Sequence, residues 1–458
     1  MRKEGRINDL EFESIPKLLW KYFLPAFAGV IINSLYNIVD RIFIGQGVDS
    51  LALAGLSAIF PVMIIMMAFG MLVGMGAGVR ISINLGKKDY KRAELVLGNA
   101  FLLMIIVSGI ITVVGFLISD PLLRFFGVNE QTYMYAKEYL QIILAGTIFN
   151  ILGYALNNLI RSEGSANIAM FSMLISAGMN IVLDYIFIMR MDMGVTGAAL
   201  ATVISQVVLT IWVIAHFNSK RSVIKLRMSR LKLSGEIVWY IISIGFAPFS
   251  MQLASSAVFG VYNIQLIKHG SDMAVGAMGV IISVTMLLVM TVMAITMANQ
   301  PIIGFNVGAK NYKRVKQTLF ISIISATVIS LLGFIVAQTL PGPIIKMFNR
   351  EDGELLEIGV KGLRIFLMAL PLVGFQIVMG NYYQSIGKAG ISALLSLLRQ
   401  VIFLIPLLLI LPQYYGLKGV WLSAPASDTL GATVCLFFMV NEFRKLKKAI
   451  AISEKLAS

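Results

Sequence analysis

Twelve long apolar runs, separated by short stretches that hold most of the charge, leave this chain little choice of solvent. A helix needs about 20 mostly apolar residues to cross a bilayer at about 1.5 Å rise per residue. The runs cover residues 19–43, 52–79, 96–118, 137–159, 167–190, 195–217, 238–262, 274–299, 319–340, 357–380, 391–411 and 417–441. Inside hydrocarbon no water is available to the backbone, so each run is expected to close its own N–H and C=O groups as a helix. A membrane β-barrel would instead alternate over segments of about ten residues, and that alternation is absent.

Composition agrees with a lipid-facing surface. Of 458 residues, 58% are hydrophobic and 13% charged, about half the charged share of a soluble domain. The formal net charge of +15 does not point to nucleic acid, because it sits in clusters between the apolar runs. With the N-terminus placed in the cytoplasm, the inner segments hold 27 Lys and Arg and the outer ones ten. That bias supports an even helix count with both termini cytoplasmic. No cleavable leader pattern precedes the first run, which reads as a retained helix. A single cysteine, Cys435, and two histidines, His216 and His269, exclude a disulfide framework and argue against Cys/His metal chemistry.

The chain is also duplicated. Asn84-Leu85-Gly86-Lys87-Lys88-Asp89-Tyr90-Lys91-Arg92 returns in the second half as Asn306-Val307-Gly308-Ala309-Lys310-Asn311-Tyr312-Lys313-Arg314. Gly197 pairs with Gly419 at the same offset, and Asn158 with Asn381 at an offset greater by one. A loop repeated on one side of six-helix halves implies a parallel repeat about an axis normal to the membrane. The expected fold class is therefore an all-α integral membrane protein, with twelve transmembrane helices in two pseudo-symmetric six-helix bundles. Its expected domains are an N-terminal lobe at 1–217, a cytoplasmic linker at 218–237 and a C-terminal lobe at 238–458. Duplicated bundles favour a transporter over an anchor.

Ionisable side chains at membrane depth are costly and ask for a function. Asp40 lies on the first helix, one and two turns after Asn37 and Asn33. Asn180 and Asp184 share one face of the fifth helix at i,i+4 spacing, as Thr202 and Gln206 do on the sixth. Asn157 ends the fourth. Carboxylates with amide and hydroxyl oxygens can hold Na⁺ or take up a proton, whereas such amides taken singly are often helix glue. The second half has no paired carboxylates. Its Asp428 stands opposite Gln206 in the repeat and is open to two readings, a site residue or a structural partner of Arg399. Met63, Met66, Met286 and Met290, on helices that correspond in the repeat, together with Asn33, Asn37, Gln206, Gln252 and Asp428, are candidates to line a substrate cleft. The Gly70, Gly74, Gly78 stripe reads as helix packing. No nucleotide loop, HExxH motif or nucleophile elbow is present, so an ion gradient is the expected energy source and no cofactor is expected.

Tyr36-Asn37-Ile38-Val39-Asp40-Arg41-Ile42-Phe43-Ile44-Gly45, the Gly86-to-Arg92 loop with its second copy, Met179-Asn180-Ile181-Val182-Leu183-Asp184 and Gly197-Ala198-Ala199-Leu200-Ala201-Thr202 carry a further signal. In this ordered set the whole chain resembles the multidrug and toxic compound extrusion (MATE) family, particularly its prokaryotic branch. The resemblance implies two six-helix lobes around a V-shaped cleft, and export of varied, often cationic amphiphiles in exchange for Na⁺ or H⁺. It also implies a first-lobe cation or proton site at Asp40, Asn180, Asp184 and Thr202, with Asn157 nearby. Another branch uses acids inside helices seven and ten, and this sequence has none there. The expected activity is a cation-coupled antiporter working on amphipathic small molecules among membrane lipids, neither an enzyme nor a nucleic-acid binder. Two alternatives stand beside it: a flippase for a lipid-linked substrate, which would want a strongly basic cleft, and a membrane enzyme acting on a lipid through Asp40 and Asp184.

Overall fold

The computed structural model describes residues 3–48, 50–126, 128–348 and 353–457, which are helical almost throughout, with no strand among them. The first half runs α1 (Lys3–Phe12), α2 (Ile15–Gly47), α3 (Ser50–Gly86), α4 (Tyr90–Leu117), α5 (Ser119–Phe125), α6 (Glu130–Ala145), α7 (Thr147–Ser162), α8 (Ala166–Asp184) and α9 (Gly194–Asn218). After a 3₁₀ turn at Met228–Arg230 come α10 (Gly235–His269), α11 (Asp272–Gly308), α12 (Tyr312–Thr339), α13 (Pro341–Lys346) and α14 (Gly353–Phe366). The chain ends with α15 (Leu370–Ser385), α16 (Ala389–Leu397), α17 (Ile405–Tyr415) and α18 (Leu417–Ala457). Among the described residues ten helical segments are long and apolar enough to span a membrane, and two bent pairs, α6 with α7 and α14 with α15, bring the number to twelve. Exposed aliphatics such as Val113 (60%), Ile211 (61%) and Ile402 (51%) are the surface that such helices offer to hydrocarbon.

The bends, 57° and 50°, have local causes. Gly146 closes α6 by donating its N–H to Ile142. Pro371 sits in the first turn of α15, where a missing N–H costs nothing but the preceding helix cannot simply continue. The fifth span of each half contains a π-helical stretch: Tyr185–Arg190 follows α8 and Leu398–Leu404 follows α16.

Duplication reaches down to backbone conformation. Ser50–Gly86 is matched by Asp272–Gly308, and Tyr90–Leu117 by Tyr312–Thr339, in the register of the repeated loop. Asp89 caps α4 by accepting from the Arg92 N–H, and Asn311 caps α12 by accepting from the Arg314 N–H. Just before each cap a lysine is left-handed, Lys88 at φ 60° and Lys310 at φ 58°. Such a φ is uncommon for a side chain with a Cβ, and finding it in both copies means the turn itself is inherited. Gly164 (φ 96°) and Gly387 (φ 79°) form a second pair, at turns where glycine adopts this conformation freely.

The helices cluster into two compact units. One comprises Met1–Glu13 with Leu24–Phe249, the other Ser14–Phe23 with Ser250–Ser458. The first unit is cored by Ile44, Ile59, Met66, Leu123, Tyr139, Leu140, Ile143 and Val195. Lipid is as apolar as leucine, so close packing and hydrogen bonds, rather than hydrophobic burial, hold such a core together. Gly74 shows the packing: a Cβ there would lie 2.8 Å from the Ala155 Cα, so α3 and α7 meet backbone to backbone. The first turns of α10 belong to this unit as well, with Gly245 seated on the Leu72 carbonyl and Arg92 paired to Glu236 at 2.7 Å. The linker is pinned by two buried carboxylates, Glu94, which accepts from the Lys225 amide and pairs with Arg227, and Glu163. Glu163 accepts from the Ser222 hydroxyl and the Val223 and Ile224 amides on one oxygen, and meets Ser165 and His216 on the other. The second unit has two cores, one around Tyr262, Leu266, Ile281, Leu363 and Trp421, the other around Ile303, Leu319, Met379, Tyr382 and Tyr383.

Candidate functional site

In the first unit, α2, α6, α8 and α9 bring polar groups to one interior spot. Asp184 ends α8, immediately before its π stretch, and is fully buried; Asn180, one turn earlier, is also buried. The Asp40 carboxyl group on α2 is close enough to Asp184 for the two to interact electrostatically. Thr202 on α9 is buried, with Tyr139 of α6 beside it. The structure thus brings Asp40, Asn180, Asp184 and Thr202 together, and adds Tyr139 and Tyr36, both electrostatically coupled to the two carboxylates.

What this cluster lacks is partners for its carboxylates. Both oxygens of Asp184, Oδ1 of Asp40 and both amide atoms of Asn180 are buried with no hydrogen-bond partner among the described residues. Two ionised carboxylates at this separation, in a low-dielectric interior, repel each other strongly. A proton shared between them, or a small cation among them, removes that repulsion and fills the orphaned acceptors. The donor set is all oxygen: two carboxylates, one amide and one hydroxyl, which suits a hard cation or a proton. No arrangement of three or more His, Cys, Asp or Glu able to hold a metal ion occurs among the described residues. The neighbouring Arg41 lies over the Phe60 ring, 5.1 Å from its centroid, instead of filling the orphaned acceptors of the two acids.

Asn157 is differently employed. Its Nδ2 donates to the Ala169 carbonyl and the Ser172 hydroxyl, both at 2.8 Å, and its Oδ1 accepts from Arg161 at 2.5 Å. The bonds to Ala169 and Ser172 tie α7 to α8, about three and two turns before Asn180. Asn37 donates to the Asn33 carbonyl on its own helix at 2.6 Å. Met66 is buried in the core with Met63 packed on it, while Met286 is exposed and Met290, Gln206 and Gln252 are half-buried.

The second unit is built on the same frame with other chemistry. Asp428 on α18 meets Arg399, in the π stretch after α16, at 3.3 Å. Gln376 of α15 donates to the Asp428 carbonyl at 2.9 Å, and Ser427 to the Arg399 carbonyl at 2.6 Å. The Tyr262 hydroxyl is buried without a partner among the described residues and within electrostatic reach of both charges. Neither Tyr139 nor Tyr262 stands out in the sequence as a site residue. For Tyr262 a signal existed, because it holds in the second repeat the place that Asp40 holds in the first.

Comparison with known proteins agrees over nearly the whole chain. The MatE family model matches residues 25–186 and 239–410. The multidrug export protein MepA of Staphylococcus haemolyticus (strain JCSC1435) is 28% identical over 439 residues, covering 96% of each chain. MepA of Staphylococcus aureus (strain MSSA476) is 28% identical over 437 residues, covering 95% of this chain and 96% of its own. Among solved structures, the MATE multidrug transporter DinF-BH in complex with R6G superposes with a TM-score of 0.88 at 38% identity, over 94% of this chain and 96% of that one. A MATE in the bent conformation gives 0.91 at 26% identity, over 97% and 99%.

Proposed function

We propose that this chain, which belongs to the MatE family, is a cation-coupled antiporter that exports amphipathic, often cationic compounds in exchange for H⁺ or Na⁺. The observation that carries this reading is the Asp40–Asp184 pair, with its unpartnered oxygens beside Asn180 and Thr202 in the first unit. Relatives named as multidrug export proteins support the substrate class. Asp40 and Asp184 are the groups that exchange a proton or hold Na⁺, with the Asn180 carbonyl and Thr202 hydroxyl as neutral ligands. Tyr139 borders Thr202, and Asn157 ties α7 to α8. Because the oxygens that take Na⁺ also take the proton, the two compete. Loading the site neutralises buried charge, and that change in electrostatics biases the conformational equilibrium on which export depends. Both termini and residues 220–232 face the cytoplasm, from the excess of Lys and Arg on that side, in the cell membrane of a prokaryote.

The test is transport of a lipophilic cation in proteoliposomes whose Na⁺ and H⁺ gradients are set independently. Uphill export driven by at least one gradient is expected. Turnover of a lipid-linked substrate instead, with no cation exported under either gradient, would move the assignment to a flippase.

A further inference from the structure

The third span of each half starts at the repeated loop, yet its two copies are covered differently. In the first unit α4 lies beneath the linker. Glu94 accepts from the Lys225 amide at 3.3 Å and pairs with Arg227 at 3.2 Å. One turn further on, a Cβ at Gly98 would collide with the Arg230 carbonyl, and Asn99 accepts from the Ser234 amide at 2.7 Å. An acid at this level thus holds a basic segment of the chain against the helix.

In the second unit the charge is reversed and the cover is gone. At the offset of the repeated loop, Lys316 stands for Glu94, Phe320 for Gly98 and Asn311 for Asp89. Residues 440–457, which hold the linker's place in the repeat, continue α18 instead. Phe320 is 54% exposed, and the exposed surface runs on through Ile324 and Val328. Lys313, Lys316, Phe320 and Ile324 are spaced i, i+3, i+7 and i+11, which is one face of α12. In the first copy Lys88 meets Glu11 at 3.3 Å and Arg92 meets Glu236 at 2.7 Å. Neither Lys313 nor Lys316 has an acidic partner among the described residues. Phe443 and Leu446 of α18 share a core with Val315 and Leu319, which brings the exposed Arg444 and Lys445 to the same end of the unit.

Two cations set above an uncovered apolar stripe are the complement of a lipid with a negative headgroup. The level fits as well, because the lysines open a membrane-spanning helix, where headgroups lie. A soluble anion has no use for the stripe. We propose that Lys313, Lys316, Phe320 and Ile324 form a binding site for an anionic phospholipid, the two ammonium groups taking its phosphate and the exposed face of α12 an acyl chain. Lysine suits the role as a point charge for phosphate. The site requires only that α12 spans a membrane, and it does not depend on the export reading.

The experiment measures binding of dioleoyl phosphatidylglycerol and dioleoyl phosphatidylcholine to the purified full chain by native mass spectrometry. The readout is the ratio of the two Kd values, which divides out any general loss of folded protein. The parent should prefer phosphatidylglycerol, and that preference should fall about fivefold in K316Q and further in K313Q/K316Q, the scale of one surface lysine beside an anionic lipid. K87Q/K91Q removes two lysines from the first copy of the loop and should leave the preference unchanged. Glycerol 3-phosphate, the headgroup chemistry without acyl chains, should not displace bound phosphatidylglycerol. An unchanged preference in K313Q/K316Q, or an equal loss in K87Q/K91Q, would overturn the site in favour of general positive charge. Displacement by glycerol 3-phosphate would overturn it in favour of a free phosphate compound. None of these outcomes bears on whether the protein exports cations, so the two readings fail separately.

Discussion

In the first unit two carboxylates, Asp40 and Asp184, face each other with orphaned oxygens, whereas in the second Asp428 stands 3.3 Å from the guanidinium of Arg399. The second and third spans of the two halves correspond residue for residue, down to the left-handed Lys88 and Lys310. One frame therefore carries two electrical solutions. A site that holds only anions must draw its cation from solution, and can be emptied again. A site that carries its own cation has no such need, and its remaining hydrogen-bond donors are free for something else. We accordingly propose that coupling to an ion gradient belongs to the first unit.

The comparison can be broken by giving the first unit a built-in cation. Asn180→Lys places an ammonium one turn from Asp184 on the same helix face, where it can neutralise the pair as Arg399 neutralises Asp428. Ion-coupled export in proteoliposomes should fall by at least about tenfold. Export at the parent rate would mean that the cluster's need for an external cation does not matter.

A smaller effect sharpens the division between ligands and supports. Asn157 spends its amide on Ala169, Ser172 and Arg161, so Asn157→Ala should act through stability. A loss of about 2 kcal/mol is expected from bonds of this kind, one of them to a charged group. The check is thermal unfolding of the purified protein, read beside export per folded molecule. Undiminished stability with a changed Na⁺ or H⁺ dependence would put Asn157 among the ion ligands instead.

Much of this architecture is legible in the chain. The twelve runs, the duplication and the i,i+4 spacing of Asn180 and Asp184 follow from periodicity and from the cost of charge in lipid, and each has its counterpart in the structure. Three features are not written in that way. The bends after Ala145 and Phe366 depend on backbone geometry, which a count of apolar residues does not register. Tyr139 borders Thr202 from another helix, and a tyrosine in an apolar run looks like any core aromatic. The first turns of α10 join the first unit through backbone contact at Gly245 and Leu72, and a glycine in a hydrophobic segment does not announce its neighbour. Arg399 and Asp428 lie between these cases, since their pairing could be foreseen but the idle hydroxyl of Tyr262 beside them could not.

The central claim is that Asp40 and Asp184 act as one coupling site, and reconstituted D40N, D184N and D40N/D184N proteins test it most directly. Each asparagine keeps the approximate size of the side chain while removing its charge and its exchangeable proton. Ion-driven export, with Na⁺ and H⁺ varied against each other, should be lost in either single variant and fall no further in the double, because residues that work as a unit are non-additive. Coupling near the parent level in D40N/D184N, with Na⁺ and H⁺ still competing, would contradict the account and turn attention to Asp428.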